Sequence, residues 1–88
     1  MQIKPGFMLK EVAGEYYAIP FDASYESQGA MVSLNQSGAF LWQLLEEECD
    51  VDSLCKAVVE HYNVAPIVAD TAVKEFIELL REKQLLVE

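Results

Sequence analysis

The feature that most constrains the fold of this 88-residue chain is the stretch at positions 34–45, LNQSGAFLWQLL. A short run of strand-forming residues ends at Leu34. Asn35 follows as a helix-capping residue type, because its amide oxygen can accept a hydrogen bond from a free N–H of the first helical turn. Apolar side chains then recur at helical spacing, at Phe40, Leu41, Leu44 and Leu45. The stretch therefore marks the change from a β half to an α half.

The segments before this stretch predict three strands. Residues 7–13 and 15–21 are rich in strand formers, and the pair Gly14-Glu15 predicts a tight hairpin turn that joins them. Residues 22–28 are polar and contain several turn formers, which indicates a loop. Residues 29–34 then predict a short third strand.

Three helices are predicted to follow the third strand. The first covers residues 36–47, with Trp42 partly buried at the edge of the core. The second begins near Asp50, where either Asp50 or Asp52 can act as its cap, and ends before Asn63. The third runs from Pro66 to Lys83, because proline is well tolerated at the first position of a helix. Its core stripe consists of Ala69, Ala72, Val73, Phe76 and Leu80.

The predicted order of elements defines the fold class. Strands followed by helices give an α+β fold, here a three-stranded antiparallel sheet followed by a three-helix bundle. Helices joined by tight connectors next to a strand wing are typical of a winged helix-turn-helix. Residues 85–87 add a last short extended piece. The length of the chain predicts one domain, residues 1–88.

Charge restricts the classes of partner. Six basic and fifteen acidic side chains give a net charge of −9, and the basic residues form no stripe. Binding to nucleic acids depends on Lys and Arg that neutralise phosphates, so nucleic acid and anionic membrane surfaces are not expected partners. The chain has neither a secretory signal nor a run of about 18 apolar residues. We therefore expect a cytoplasmic protein with a protein or peptide partner.

Residues that could carry chemistry are few. Cys49 and Cys55 have no histidine cluster nearby, a pattern that predicts neither structural zinc nor, in the cytoplasm, a disulfide. His61 is the single histidine, and the sequence indicates no nucleophile for it to activate. We expect a protein that is not an enzyme and that has no cofactor and no metal site.

The third strand suggests a binding mode. It contains neither proline nor charge, the usual devices that protect an exposed sheet edge. An extended peptide can add to such an edge as a further strand. Three alternatives remain open: a central position of the strand in the sheet, homodimerisation through its edge, and a winged-helix DNA-binding regulator. Proline at Met31 or Val32 would test strand addition at whichever of the two amides points outward.

The chain resembles the PqqD-like family, named for the pyrroloquinoline quinone biosynthesis protein D, and related recognition domains of ribosomal peptide modification systems. The residues that carry the resemblance are Leu34-Asn35, Gly38-Ala39, Trp42, Leu45, Leu54, Tyr62, Ala69, Asp70, Phe76, Leu80 and Leu85-Leu86. The resemblance implies a winged helix-turn-helix without DNA binding. It also implies a non-catalytic chaperone that captures the leader segment of a precursor peptide on the third strand. The peptide is then presented to a modifying enzyme, often a radical S-adenosylmethionine enzyme.

The family's binding mode predicts a set of peptide-binding residues in this chain. On the third strand they are Gly29, Ala30, Met31, Val32, Ser33 and Leu34. On the third helix, a helical wheel places four residues off the core stripe, and they could face the peptide: Ile67, Asp70, Lys74 and Ile77.

The termini favour a free-standing protein over a piece of a larger modifying enzyme.

Overall fold

A computed structural model of the chain describes residues 1–20 and 31–88. Its strands are β1 (Gln2–Ile3), β2 (Phe7–Val12), β3 (Glu15–Pro20), β4 (Val32–Leu34) and β5 (Leu86–Val87). Its helices are α1 (Gln36–Leu45), α2 (Val51–Tyr62) and α3 (Pro66–Glu82). The predicted α+β architecture is confirmed, with an antiparallel sheet in the order β2-β3-β4 followed by three helices. Three parts of the prediction lie outside the described residues: residue 21 of the second strand, the loop at residues 22–28, and residues 29 and 30 of the third strand.

The hairpin turn is one residue earlier than predicted. Val12 pairs with Glu15, so the loop consists of Ala13 and Gly14 rather than Gly14 and Glu15. Both loop residues have a positive φ, 53° at Ala13 and 83° at Gly14. A two-residue turn of type I′ requires this conformation at both positions. Glycine therefore occupies the second position of the loop, and alanine takes the less favourable left-handed conformation at the first.

Replacement of Ala13 by asparagine is expected to stabilise the protein. Asparagine tolerates the left-handed conformation better than alanine, and Asn-Gly is the preferred pair of a type I′ turn. We expect the Ala13→Asn variant to gain about 0.5–1 kcal/mol in its free energy of unfolding in urea, with an unchanged m-value. Ala13→Val is the matched control and should lose stability, since a β-branched side chain disfavours positive φ. Equal stability of the two variants would contradict this account of the turn.

A second, two-stranded sheet joins the first strand to the last. β1 pairs with β5 in antiparallel register, and the Lys4 N–H donates to the Leu85 carbonyl at 2.8 Å. The extended piece predicted at residues 85–87 is confirmed over Leu86–Val87. Its partner β1 was not predicted, because two residues are too few to show an alternating pattern. The pairing holds the chain beyond α3 against the N-terminal segment.

The helices begin at the predicted capping residues. The Asn35 side chain accepts a hydrogen bond from the Gly38 N–H at 2.7 Å. The Asp50 carboxylate accepts one from the Ser53 N–H at 2.8 Å, and this bond lowers the pKa of Asp50. Helix α3 begins at Pro66 without a side-chain cap. Helix α1 ends at Leu45, two residues before the predicted end.

The hydrophobic core lies between the sheets and the three helices. Its largest fully buried side chains are Trp42, Leu41, Leu45, Leu54, Leu80, Leu85 and Val73. Trp42 is 1% exposed, so its predicted position at the edge of the core is wrong. The Phe7 ring of β2 packs edge-on against the indole at 5.8 Å between ring centroids. The hairpin thus covers a side of α1 that helical periodicity alone does not place in the core.

Candidate functional site

Strand β4 is an outer strand of the three-stranded sheet. It pairs with β3 on one side, and among the described residues no strand pairs with its other side. Val32 and Leu34 are buried in the core, whereas Ser33 between them is exposed. None of the three carries a charge that would protect the edge. The described part of the predicted third strand is therefore available for pairing.

The hairpin loop fixes the direction of the backbone groups of β3. In a two-residue hairpin the flanking residues, here Val12 and Glu15, exchange both backbone hydrogen bonds. Residues along an antiparallel strand alternate between bonds to one neighbour and bonds to the other. Tyr16 and Ala18 therefore direct their N–H and C=O groups away from β2 and towards β4.

The same alternation identifies the outward-facing amide of β4. Tyr16 and Ala18 lie opposite Leu34 and Val32, so these two residues of β4 bond to β3. The intervening Ser33 then points its N–H and C=O to the open edge. The Val32 amide faces β3, so proline at Val32 does not test pairing at the open edge. Within β4, proline at Ser33 removes the N–H that points to this edge and therefore provides the test.

A groove runs beside this edge and is formed by β4, the start of α1 and one side of α3. One of its two cavities has a volume of about 240 Å³ and is lined by Ser33, Leu34, Asn35, Ser37, Gly38, Leu41, Ala72, Glu75, Phe76 and Leu79. The other has a volume of about 380 Å³ and is lined by Ile67, Val68, Thr71, Ala72 and Glu75. The cavities share Ala72 and Glu75 and therefore adjoin along α3, and we call the two together the β4–α3 groove.

The groove and the edge expose large apolar side chains. Ile67 is 70% exposed, Met31 just before β4 is 59% exposed, and Val68 is 52% exposed. Large apolar side chains that cluster on the surface of a small protein are a sign of a binding site. An open strand edge beside an apolar groove is the arrangement that accommodates an extended peptide.

The structure brings only one of the four helix residues predicted for this site into the groove. Ile67 lines it. Asp70 and Lys74 pair with each other at 3.1 Å, and neither lines the groove. They lie on the flank of α3 near Cys55 of α2, where burial, and then the Asp70 carboxylate, raise the pKa of the thiol and Lys74 lowers it. Ile77 is 4% exposed and belongs to the core, so its predicted position off the core stripe is wrong.

The helical wheel failed for a physical reason. Helix α3 packs against α2, and the buried stripe of α3 is wider than the predicted one, because it includes Ile77. The side of α3 that lines the groove presents four residues that the sequence analysis did not single out: Val68, Thr71, Glu75 and Leu79. It also presents Ala72, which was predicted for the core stripe but is half-buried and lines both cavities. One signal for this side was present in the sequence, the adjacent apolar residues Ile67 and Val68 in the first turn of α3. A single core stripe does not need two neighbouring apolar side chains at this point, so one of them was expected to lie outside the core.

The other outer strand of the sheet is less suited to pairing. β2 carries Lys10 and Glu11, and charged side chains on an outer strand discourage the addition of another strand. A larger concavity of about 930 Å³ lies near β2, lined by residues of β1, β2, β5 and α1. It shares no residue with the β4–α3 groove. The uncharged edge and the exposed apolar helix side coincide at β4.

The described residues show no arrangement typical of catalysis or metal binding. In residues 1–20 and 31–88, no three His, Cys, Asp or Glu side chains are grouped so that they could hold a metal ion. Cys49 and Cys55 are free thiols. The His61 ring stacks on Phe40 at 4.3 Å between centroids. Within the same parts of the chain, no helix is long and apolar enough to cross a membrane.

The fold and the site define a winged-helix domain with an open sheet edge beside an apolar groove. The family model described as coenzyme PQQ synthesis protein D (PqqD) matches residues 23–86, and the chain belongs to this family. Among solved structures, it is similar to the structure described as TbiB1 in complex with the TbiA(beta) leader peptide. The two share 22% sequence identity at a TM-score of 0.76, over 98% of this chain and 94% of that one. No curated protein matches the chain.

Proposed function

We propose that the protein is a non-catalytic peptide chaperone that binds the leader segment of a ribosomal precursor peptide. The peptide adds as an antiparallel or parallel strand to β4, with its backbone bonded to the outward groups of Ser33. Its alternate side chains enter the β4–α3 groove. The complex is then presented in the cytoplasm to a modifying enzyme, for which the family resemblance suggests a radical S-adenosylmethionine enzyme.

The observation that carries this proposal is the coincidence of three features at β4. The strand is an uncharged sheet edge, its Ser33 amide faces outward, and the adjacent side of α3 is apolar and exposed. Backbone hydrogen bonds provide affinity in such complexes, and pockets for alternate side chains provide register. Membership of the PqqD family and the leader peptide bound to TbiB1 support the same reading.

The charge of the helices opposes the DNA-binding alternative. In a winged helix-turn-helix a recognition helix must approach phosphates, which favours Lys and Arg on its surface. Helix α3 instead has four acidic and two basic side chains: Asp70, Glu75, Glu78 and Glu82 against Lys74 and Arg81. Affinity for DNA at low salt would be evidence against the peptide proposal.

The function is tested by identifying the ligand in the native source. A tagged copy of the protein is recovered from its own cells, and bound material is analysed by mass spectrometry that includes short peptides. A variant with a blocked edge, Ser33→Pro, serves as the matched bait. We expect a ribosomal peptide enriched by the wild type and depleted with the variant. Equal recovery of every peptide with both baits, or recovery only of the protein itself, would contradict strand addition at β4.

A further inference from the structure

The β4–α3 groove contains a single charged side chain among the described residues that line its two cavities. That residue is Glu75, which is exposed and lines both cavities. The other lining residues are apolar, hydroxylic or amide-bearing. Glu75 takes part in none of the ion pairs formed by the described residues, whereas Asp70 of the same helix pairs with Lys74. Its carboxylate is therefore available to a ligand in the groove.

We infer that Glu75 selects a peptide with a lysine or arginine at one fixed position of the bound segment. This inference rests on the proposed function and names the chemistry of its ligand. The basic side chain lays its aliphatic stem on Ile67, Val68 and Ala72 and directs its charged head to the Glu75 carboxylate. Long basic side chains commonly bury their stems on apolar surface in this way. A chain with a net charge of −9 also favours a cationic segment over an anionic one.

The spacing of the cavities fits alternate side chains of an added strand. The helix residues that line the smaller cavity lie, on average, about five positions beyond those of the larger one, or about 7 Å along the helix axis. Side chains at positions i and i+2 of a strand are separated by about 6.6 Å. The basic side chain thus occupies the larger cavity, and an apolar side chain two residues away occupies the smaller one, against Leu34, Phe76 and Leu79.

The larger cavity is the better place for the long basic side chain. Its volume of about 380 Å³ exceeds the 240 Å³ of the smaller cavity, and the exposed side chains of Ile67 and Val68 provide apolar surface for the stem. Each cavity adjoins the first turn of a helix, α1 for the smaller and α3 for the larger, so the partial charge of a helix start favours neither cavity for a cation. Size and apolar surface therefore assign the basic side chain to the larger cavity and the apolar one to the smaller.

A selection from a displayed library of random linear peptides tests this inference. The wild type is expected to enrich Lys or Arg at one position of an aligned motif, with an apolar residue two positions away. Glu75→Lys is expected to enrich Asp or Glu at that position. Glu60→Lys makes the same change of charge on an exposed residue of α2 outside both cavities, and it should select the wild-type motif.

Affinity measurements make the expectation quantitative. A synthetic peptide of the wild-type motif should bind the Glu75→Gln variant about three- to tenfold more weakly, as expected for one charge pair at the margin of a groove. Identical motifs for the wild type and Glu75→Lys would overturn the inference while leaving peptide binding intact. Enrichment of no peptide by the folded wild type would instead overturn the proposed function, and the inference with it.

Discussion

The Ser33→Pro variant is expected to remain folded and to bind the selected motif peptide at least about tenfold more weakly than the wild type. Proline removes the amide that points from β4 to the open edge, and its ring occupies the space of the incoming strand. One net hydrogen bond accounts for about 1 kcal/mol, and the steric conflict adds to it, so a tenfold loss is a conservative expectation. Titration calorimetry with the synthetic peptide measures the change.

Two controls separate binding from folding in this experiment. Ser33→Ala keeps the amide and changes only an exposed side chain, so it should bind within about twofold of the wild type. Proline at position 33 removes no bond between β3 and β4, because the amides that pair with β3 belong to Val32 and Leu34. Val32→Pro should therefore destabilise the fold, whereas Ser33→Pro should not. A folded Ser33→Pro variant with wild-type affinity would rule out strand addition at this edge.

The Trp42→Ala variant is expected to lose about 3–5 kcal/mol of its free energy of unfolding. The indole is the largest fully buried side chain, and its loss leaves a cavity beneath the Phe7 ring of β2. Native domains have about 5–15 kcal/mol in total, so this loss removes between about one fifth and all of the stability. Urea denaturation followed by far-ultraviolet circular dichroism measures the loss without relying on the fluorescence of the removed tryptophan.

The conservative substitution distinguishes a core role from a binding role for this tryptophan. Trp42→Phe retains part of the buried volume and should lose clearly less stability than Trp42→Ala. Its affinity for the motif peptide should stay close to that of the wild type, since Trp42 does not line the β4–α3 groove. A loss below about 1 kcal/mol for Trp42→Ala would contradict the packing described above.

The sequence predicted the fold well because its signals are local. Asn35, Asp50 and Pro66 are each a residue type that begins a helix, and each helix starts at or directly after one of them. The errors in the predicted fold arise where tertiary contacts, rather than local sequence, determine the structure. The pairing of β1 with β5 joins two dipeptides from distant parts of the chain. The hairpin loop was predicted one residue too late, because alanine is not a residue type that indicates the left-handed conformation that Ala13 adopts.

The candidate site was predicted less completely than the fold. The uncharged third strand indicated an open edge, and the structure shows β4 unpaired on one side among the described residues. The side of α3 that faces the groove was predicted incompletely, since the helical wheel assumed a narrow core stripe and Ile77 is buried in a wider one. Glu75, the residue that we propose to contact the ligand, was not predicted because an exposed glutamate carries no signal in a single sequence. It becomes informative only once it is seen to be the single charged side chain among the described residues that line the groove.

Hydrogen exchange at the amides of β4, followed by NMR with and without the motif peptide, tests the central claim most directly. In the free protein the amides of Val32 and Leu34 should exchange slowly, because they bond to β3, and the amide of Ser33 should exchange fast. Saturation with peptide should then slow the exchange of Ser33. A Ser33 amide that still exchanges fast in the saturated complex would show that the peptide binds elsewhere and would contradict strand addition to β4.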